Sequence, residues 1–85
     1  MNVHFEPRPM TLEELTAYYL PELKVNEYSI REFKKHLLLN DVEKYLSPIK
    51  DGKSLSPKRR LSLRDVWVII RRLGMPPLLR IKTES

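Results

Sequence analysis

The chain contains no cysteine. Disulfide frameworks and thiolate zinc sites are therefore excluded, and the absence is compatible with a reducing compartment. Glycine is almost as scarce. Gly52 and Gly74 are the only two, so no glycine-rich phosphate loop can be assembled. No stretch approaches the roughly 20 apolar residues of a membrane span, and residues 1–10 lack the apolar run of a signal peptide. The expectation is a cytoplasmic protein with no membrane partner.

At 85 residues the chain is expected to form one domain. A domain of this size buries only roughly 60–65% of its unfolded surface, which favours one core over a deep catalytic cleft. A hydrophobic fraction of 41% with 32% charged residues fits a globular protein. Seven prolines against two glycines point to defined breaks between elements. The net charge of +5 is unevenly placed. Residues 1–49 carry six Lys/Arg and eight Asp/Glu, a net of −2, whereas residues 50–85 carry ten against three, a net of +7. Such a split suits either an anionic partner, nucleic acid foremost, or a solubilising surface with a basic tail.

Three helix starts share one capping device. In Thr11-Leu12-Glu13-Glu14 the threonine can cap and Glu14 can reach back to its N–H, with Met10 and Leu15 as a hydrophobic staple. This helix is expected to bury Leu12, Leu15 and Tyr19 and to stop near Leu20, before Pro21. Ser29-Ile30-Arg31-Glu32 reads as a second capping box, with Tyr28 and Phe33 as staple and Ile30, Phe33 and Leu37 as buried stripe. Asn40 can end that helix, begin the next, or do both. Residues 41–46 read as a short helix with Val42, Tyr45 and Leu46 inward. Within residues 47–61, Asp51-Gly52 favours a tight turn and predicts a small hairpin or wing. Ser62-Leu63-Arg64-Asp65 opens the last helix, with Leu61 and Val66 as staple and Leu63, Val66, Ile69, Ile70 and Leu73 as its apolar face. Gly74 is expected in the left-handed capping conformation with Met75 folded onto Ile70, and Pro76-Pro77 bars continuation. The expected fold is all-α. About four short helices form a compact bundle over residues 11–77, between an N-terminal extension and a tail at 78–85. Its core is expected to comprise Leu15, Tyr19, Phe33, Leu37, Leu46, Val66, Ile69, Ile70 and Leu73.

Three segments resemble an uncharacterised bacterial family, domain of unknown function 4248. Glu14-Leu15-Thr16-Ala17-Tyr18-Tyr19-Leu20-Pro21 is similar to its opening E-L-A-x-x-Y-F-P, and residues 40–46 to its N-x-x-L-x-x-x-L region. Leu61-Ser62-Leu63-Arg64-Asp65-Val66-Trp67-Val68-Ile69-Ile70, followed by Leu73-Gly74-Met75-Pro76, resembles its closing F-T-P-x-Q-V-x-x-I-x-x-x-L-G-E-P. The likeness covers residues 11–77. The chain departs from the pattern at His36, on the helix where the family often carries tryptophan, and at Met75, where the family has an acidic residue. The resemblance implies a small helical domain whose layout is similar to helix-turn-helix regulators, an analogy of fold alone.

Chemistry finds little purchase here. His4 and His36 are the only histidines, and His36 sits beside the buried stripe, where packing explains it better than catalysis. Glu13-Glu14 and Asp41-Glu43 fall in first turns of helices, where the positive helix end accounts for them. No catalytic residue, metal ligand set, cofactor or small-molecule substrate is expected, and the protein reads as non-enzymatic.

The basic residues carry the functional expectation. Lys58-Arg59-Arg60 leads into the last helix, on which Arg64, Val68 and Arg71 are expected to face outward with Arg72 beside them and Trp67 at the edge. Such clusters contact phosphates, and an exposed aromatic can stack on a base or sugar. The plainer reading is a solvated face with Trp67 packed at the core margin. A second candidate is a recognition helix bearing Arg31 and Lys35, although nine residues between the helices exceed the three or four usual in a helix-turn-helix. The leading expectation is a DNA-binding adaptor or regulator. The alternative is a homo-oligomeric interaction module using Tyr18, Leu38, Val68 and the tail residues Leu78, Leu79 and Ile81.

The helix assignments rank two substitutions. Ser62→Ala removes a cap and is expected to cost about 0.5–2 kcal/mol, whereas Ile69→Ala in the buried face is expected to cost roughly 2–5 kcal/mol. Denaturant melts giving the reverse order would displace the buried face of the last helix.

Overall fold

The computed structural model describes residues 5–76. The chain enters through a two-residue strand, β1 (Met10–Thr11), and passes at once into α1 (Leu12–Tyr19). The Thr11 hydroxyl accepts the Glu14 N–H at 3.1 Å, and Glu14 Oε1 accepts the Thr11 N–H at 3.0 Å. This is the capping box expected from the sequence, and Met10 and Leu15 are both fully buried. Residues before the helix also belong to the core. Phe5 is buried, with its ring edge-on to Tyr18 at 4.9 Å.

Helix α2 (Glu27–Leu39) starts earlier than expected. Its cap is Asn26, and Ser29 occupies the third helical position, closing the box by accepting the Asn26 N–H at 3.0 Å. The Ser29 hydroxyl also donates to Lys24 O at 2.6 Å. Both side chains suit either role locally, and burial of Ser29 decides between them. Tyr28, expected as half of a staple, is instead 57% exposed. Ile30, Phe33 and Leu37 form the buried stripe as expected.

Asn40 ends α2, and the residue that turns left-handed is Asp41 (φ 58°). Val42 N–H donates to Leu37 O and Asp41 N–H to Leu38 O, a Schellman closure in which the apolar positions Leu37 and Val42 are both fully buried. A 3₁₀ turn (Glu43–Tyr45) and the one-turn helix α3 (Ser47–Lys50) follow, in place of a single helix. Leu46 is buried, but Tyr45 lies at the surface, contrary to expectation.

No hairpin or wing forms at Asp51-Gly52. Lys53 N–H donates to Pro48 O at 2.7 Å and Gly52 N–H to Ile49 O at 3.0 Å, with Gly52 at φ 75°. The Asp-Gly pair is thus a second Schellman closure, ending α3, and the glycine supplies its left-handed residue. The strand pairing lies elsewhere. Antiparallel β1 meets β2 (Arg60–Leu61), with Met10 opposite Leu61 and Thr11 opposite Arg60. The fold is mostly helical, with this small pair added, rather than purely all-α.

Helix α4 (Leu63–Leu73) is capped by Ser62, whose hydroxyl accepts the Asp65 N–H at 3.2 Å. Asp65 does not return to the cap to complete a box. Its carboxylate is 1% exposed, and Oδ1 accepts the Ser47 N–H at 3.1 Å and the Ser47 hydroxyl at 2.9 Å. Arg64 Nη1 stands 3.6 Å from the same oxygen. One buried charge therefore ties the start of α3 to the start of α4. Val66, Ile69 and Ile70 face the core and Leu73 is partly buried, but Leu63 is 43% exposed. Leu63 lies at the rim of the expected stripe, on the side that turns toward solvent.

Gly74 ends α4 at φ 83° and ψ 178°, a region reserved for glycine rather than the left-handed helical one. Its carbonyl accepts the Tyr19 hydroxyl at 2.8 Å, joining the ends of α1 and α4. Met75 is 41% exposed rather than folded away.

Removing the Asp65 carboxylate strips acceptors from two Ser47 donors. Asp65→Ala is expected to cost about 2–3 kcal/mol. Asp65→Asn, which keeps an acceptor oxygen, should cost clearly less. Equal losses in chemical denaturation would assign the effect to packing rather than to these hydrogen bonds.

Candidate nucleic-acid interface

The expected site residues fall into three settings. Lys58 and Arg59 lie in the turn before β2 and Arg60 on β2 itself, all exposed. This run does not simply precede α4. It crosses the start of α1, where Glu13 N–H donates to Pro57 O at 3.3 Å. The strand pairing therefore fixes the basic run by its backbone and leaves the side chains in water.

Arg64 and Arg71 lie on the outer face of α4, seven residues or about two turns apart, and both are exposed. Trp67 stands between them and is 44% exposed, with the rest of its surface covered. With Val68, which is partly packed against the core, these residues line a surface groove of about 470 Å³. Arg72 is separated from the strip. Its guanidinium lies 5.1 Å from the centroid of the Tyr45 ring, which also has Lys44 Nζ at 5.4 Å. A cation over an aromatic face is attracted by the ring quadrupole, so Arg72 is committed to an internal contact.

On α2, Lys35 Nζ pairs with Glu32 at 3.3 Å. Arg31 takes part in no ion pair among the described residues and shares a shallow depression with Lys34 and Pro57. Pro57 immediately precedes Lys58, so the structure brings Arg31 toward the basic turn. Lys34 was missed by sequence reasoning because it carries no motif, only proximity created by folding. Lys44 is paired with Asp41 at 3.1 Å, and this hydrogen bond pushes its pKa up.

His36 is exposed and lines a cavity of about 290 Å³ with Tyr19, Arg72 and Met75, so it does not pack as expected. Of the apolar residues considered for association, Tyr18 and Val68 pack partly against the core, while Leu38 and Leu39 are 65% and 80% exposed. Leu78, Leu79 and Ile81 lie outside the described residues, as does His4. Among the described residues, no three or more His, Cys, Asp or Glu side chains cluster as metal ligands would, and no helix is long and apolar enough to cross a membrane.

Compared with protein-family models, curated proteins and solved structures, the chain matches none. Its own residues therefore carry the functional reading.

Tyr19 gives a pH signature for the α1–α4 contact. Burial pushes its pKa from 10.0 up to about 12. The neutral phenol is the form the fold accommodates, so its contribution is complete below pH 10 and is lost as pH rises to about 12. The loss should total about 2–3 kcal/mol. Tyr19→Phe should remove this alkaline slope and cost about 0.5–1.5 kcal/mol at neutral pH. Alkaline melts of the two proteins that run parallel would place the phenol in water.

Proposed function

We propose that the chain is a small, non-enzymatic nucleic-acid-binding adaptor or regulator of the cytoplasm, contacting DNA through the outer face of α4 and the basic turn before it. The observation that carries this reading is the number of uncommitted cations there. Lys58, Arg59, Arg60 and Arg71 are exposed and take part in no ion pair among the described residues, and Arg64 pairs at 3.6 Å with the inward-turned Asp65. Unpaired guanidinium groups keep their full charge for phosphates, whose neutralisation releases counterions and gives affinity that falls with salt. Elsewhere Lys35 and Lys44 are paired with neighbouring carboxylates. Lys24, Arg31, Lys34, Lys50 and Lys53 take part in no ion pair among the described residues but are not gathered together on one helix face with an exposed aromatic.

A helix-turn-helix mode with α2 in the major groove has less support. Seven residues, 20–26, separate α1 from α2, and the first turn of α2 presents Glu27. The resemblance to domain of unknown function 4248 fits a small helical domain and adds no ligand. A second reading is homo-oligomeric association, favoured by Leu38 and Leu39 side by side at the surface.

Titration with a random-sequence duplex at two salt concentrations tests the proposal. Arg64→Glu with Arg71→Glu should weaken binding and lower the salt slope by up to about 2, at about 0.9 per phosphate contact. Lys35→Glu with Lys44→Glu changes the net charge equally and should have little effect. Equal losses would reduce the site to overall charge. Failure of the unmodified protein to bind any nucleic acid, duplex or single-stranded, at low salt would end the reading and leave association through Leu38 and Leu39, which sedimentation would detect.

A further inference from the structure

Trp67 is the only tryptophan in the chain, and nearly half of it is in water. Tryptophan offers the largest apolar area of any side chain, and a small domain with one core has reason to bury it. Here the inward positions of α4 are filled by Val66, Ile69 and Ile70, and the indole is displayed outward. Arg64 lies three residues before it and Arg71 four after it, one helical turn to either side. Val68, partly packed against the core, supplies the apolar part of the groove beside the indole.

We propose that this groove takes a single, unpaired nucleic-acid strand, with the Trp67 indole stacked on a base and Arg64 and Arg71 holding phosphates on either side of it. The inference rests on the nucleic-acid reading above and specifies the form of ligand. In a duplex the base faces are covered by their neighbours, and only base edges are offered in the grooves. The indole has one N–H donor and no acceptor, so it reads an edge poorly. Its strength lies in the ring face, which only an unstacked base can meet, and such stacking tolerates any base. The two arginines are separated by about 10 Å along the helix axis, at 1.5 Å per residue. That spacing leaves the base between two held phosphates free to reach the indole. An apolar protein partner would have to strip water from both guanidinium groups, whereas a polyanion complements them.

The lone tryptophan makes the test direct. The full chain is titrated at low salt with labelled single-stranded DNA of about 16 nucleotides, the upper end of site sizes for such platforms. RNA of the same sequence and the matching DNA duplex are titrated in parallel. The single strands should quench Trp67 fluorescence. By anisotropy, Trp67→Ala should weaken single-strand binding about 5- to 100-fold, with partial rescue by Trp67→Phe and little change for the duplex. A preference for DNA or RNA would identify the strand and support the stacking contact equally. Binding of all three ligands without quenching, indifferent to Trp67→Ala, would overturn this inference and leave the broader nucleic-acid reading intact. No binding by any ligand would overturn both.

Discussion

The Asp65 carboxylate holds together the part of the fold that local sequence preferences cannot. Helix α3 has four residues, far below the length at which a helix is stable alone. It has no side-chain cap of its own, because Leu46 precedes it. Asp65 supplies that cap from 18 residues away, accepting both the N–H and the hydroxyl of Ser47. A buried charge is costly unless hydrogen-bonded, and here it sits at the positive ends of two helices with Arg64 nearby. Val42 and Leu46, which flank the 3₁₀ turn before α3, share the core cluster with Val66, Ile69 and Ile70 of α4. Asp65 lies on the same inward face of α4 as Val66, Ile69 and Ile70, and Trp67 and Arg71 fall on the exposed side.

At the other end of α4 the Tyr19 hydroxyl and the Gly74 carbonyl make the complementary tie. Tyr19 also stacks on Phe33 at 5.5 Å, so one side chain links α1, α2 and the end of α4. Gly74 permits this because its backbone turns the carbonyl in a direction that a residue with a side chain rarely adopts. The two ties anchor α4 at both termini, which leaves its middle turns to present an exposed strip without loosening the core.

Short-range signals in the sequence were legible. Thr11-Glu14 and Ser62 act within three residues, and those helix starts stand where expected. Ambiguity entered where two neighbours could serve the same role, as at Asn26 and Ser29, or where one dipeptide suits two structures. Asp51-Gly52 can turn a hairpin or close a helix, because both need a positive φ at glycine. Here Pro48 at the start of a helical turn and the two hydrogen bonds back to Pro48 and Ile49 select the second. The β1–β2 pairing was not legible, since Met10 and Leu61 are brought together only by the completed bundle. The same limit governed the site. Arg64 and Arg71 follow from helical spacing, while the diversion of Arg72 to Tyr45 and the approach of Arg31 to Pro57 depend on tertiary placement.

The distribution of charge follows from that placement. On α4, Asp65 is turned inward and bonded through Oδ1, so the helix's only carboxylate is withdrawn from its surface while Arg64, Trp67 and Arg71 are exposed along the outer face. Burial of that one carboxylate thus does two things at once. It caps α3, and it withdraws the helix's carboxylate from the outer surface, where Arg71 takes part in no ion pair among the described residues and only Arg64 reaches Asp65, at 3.6 Å.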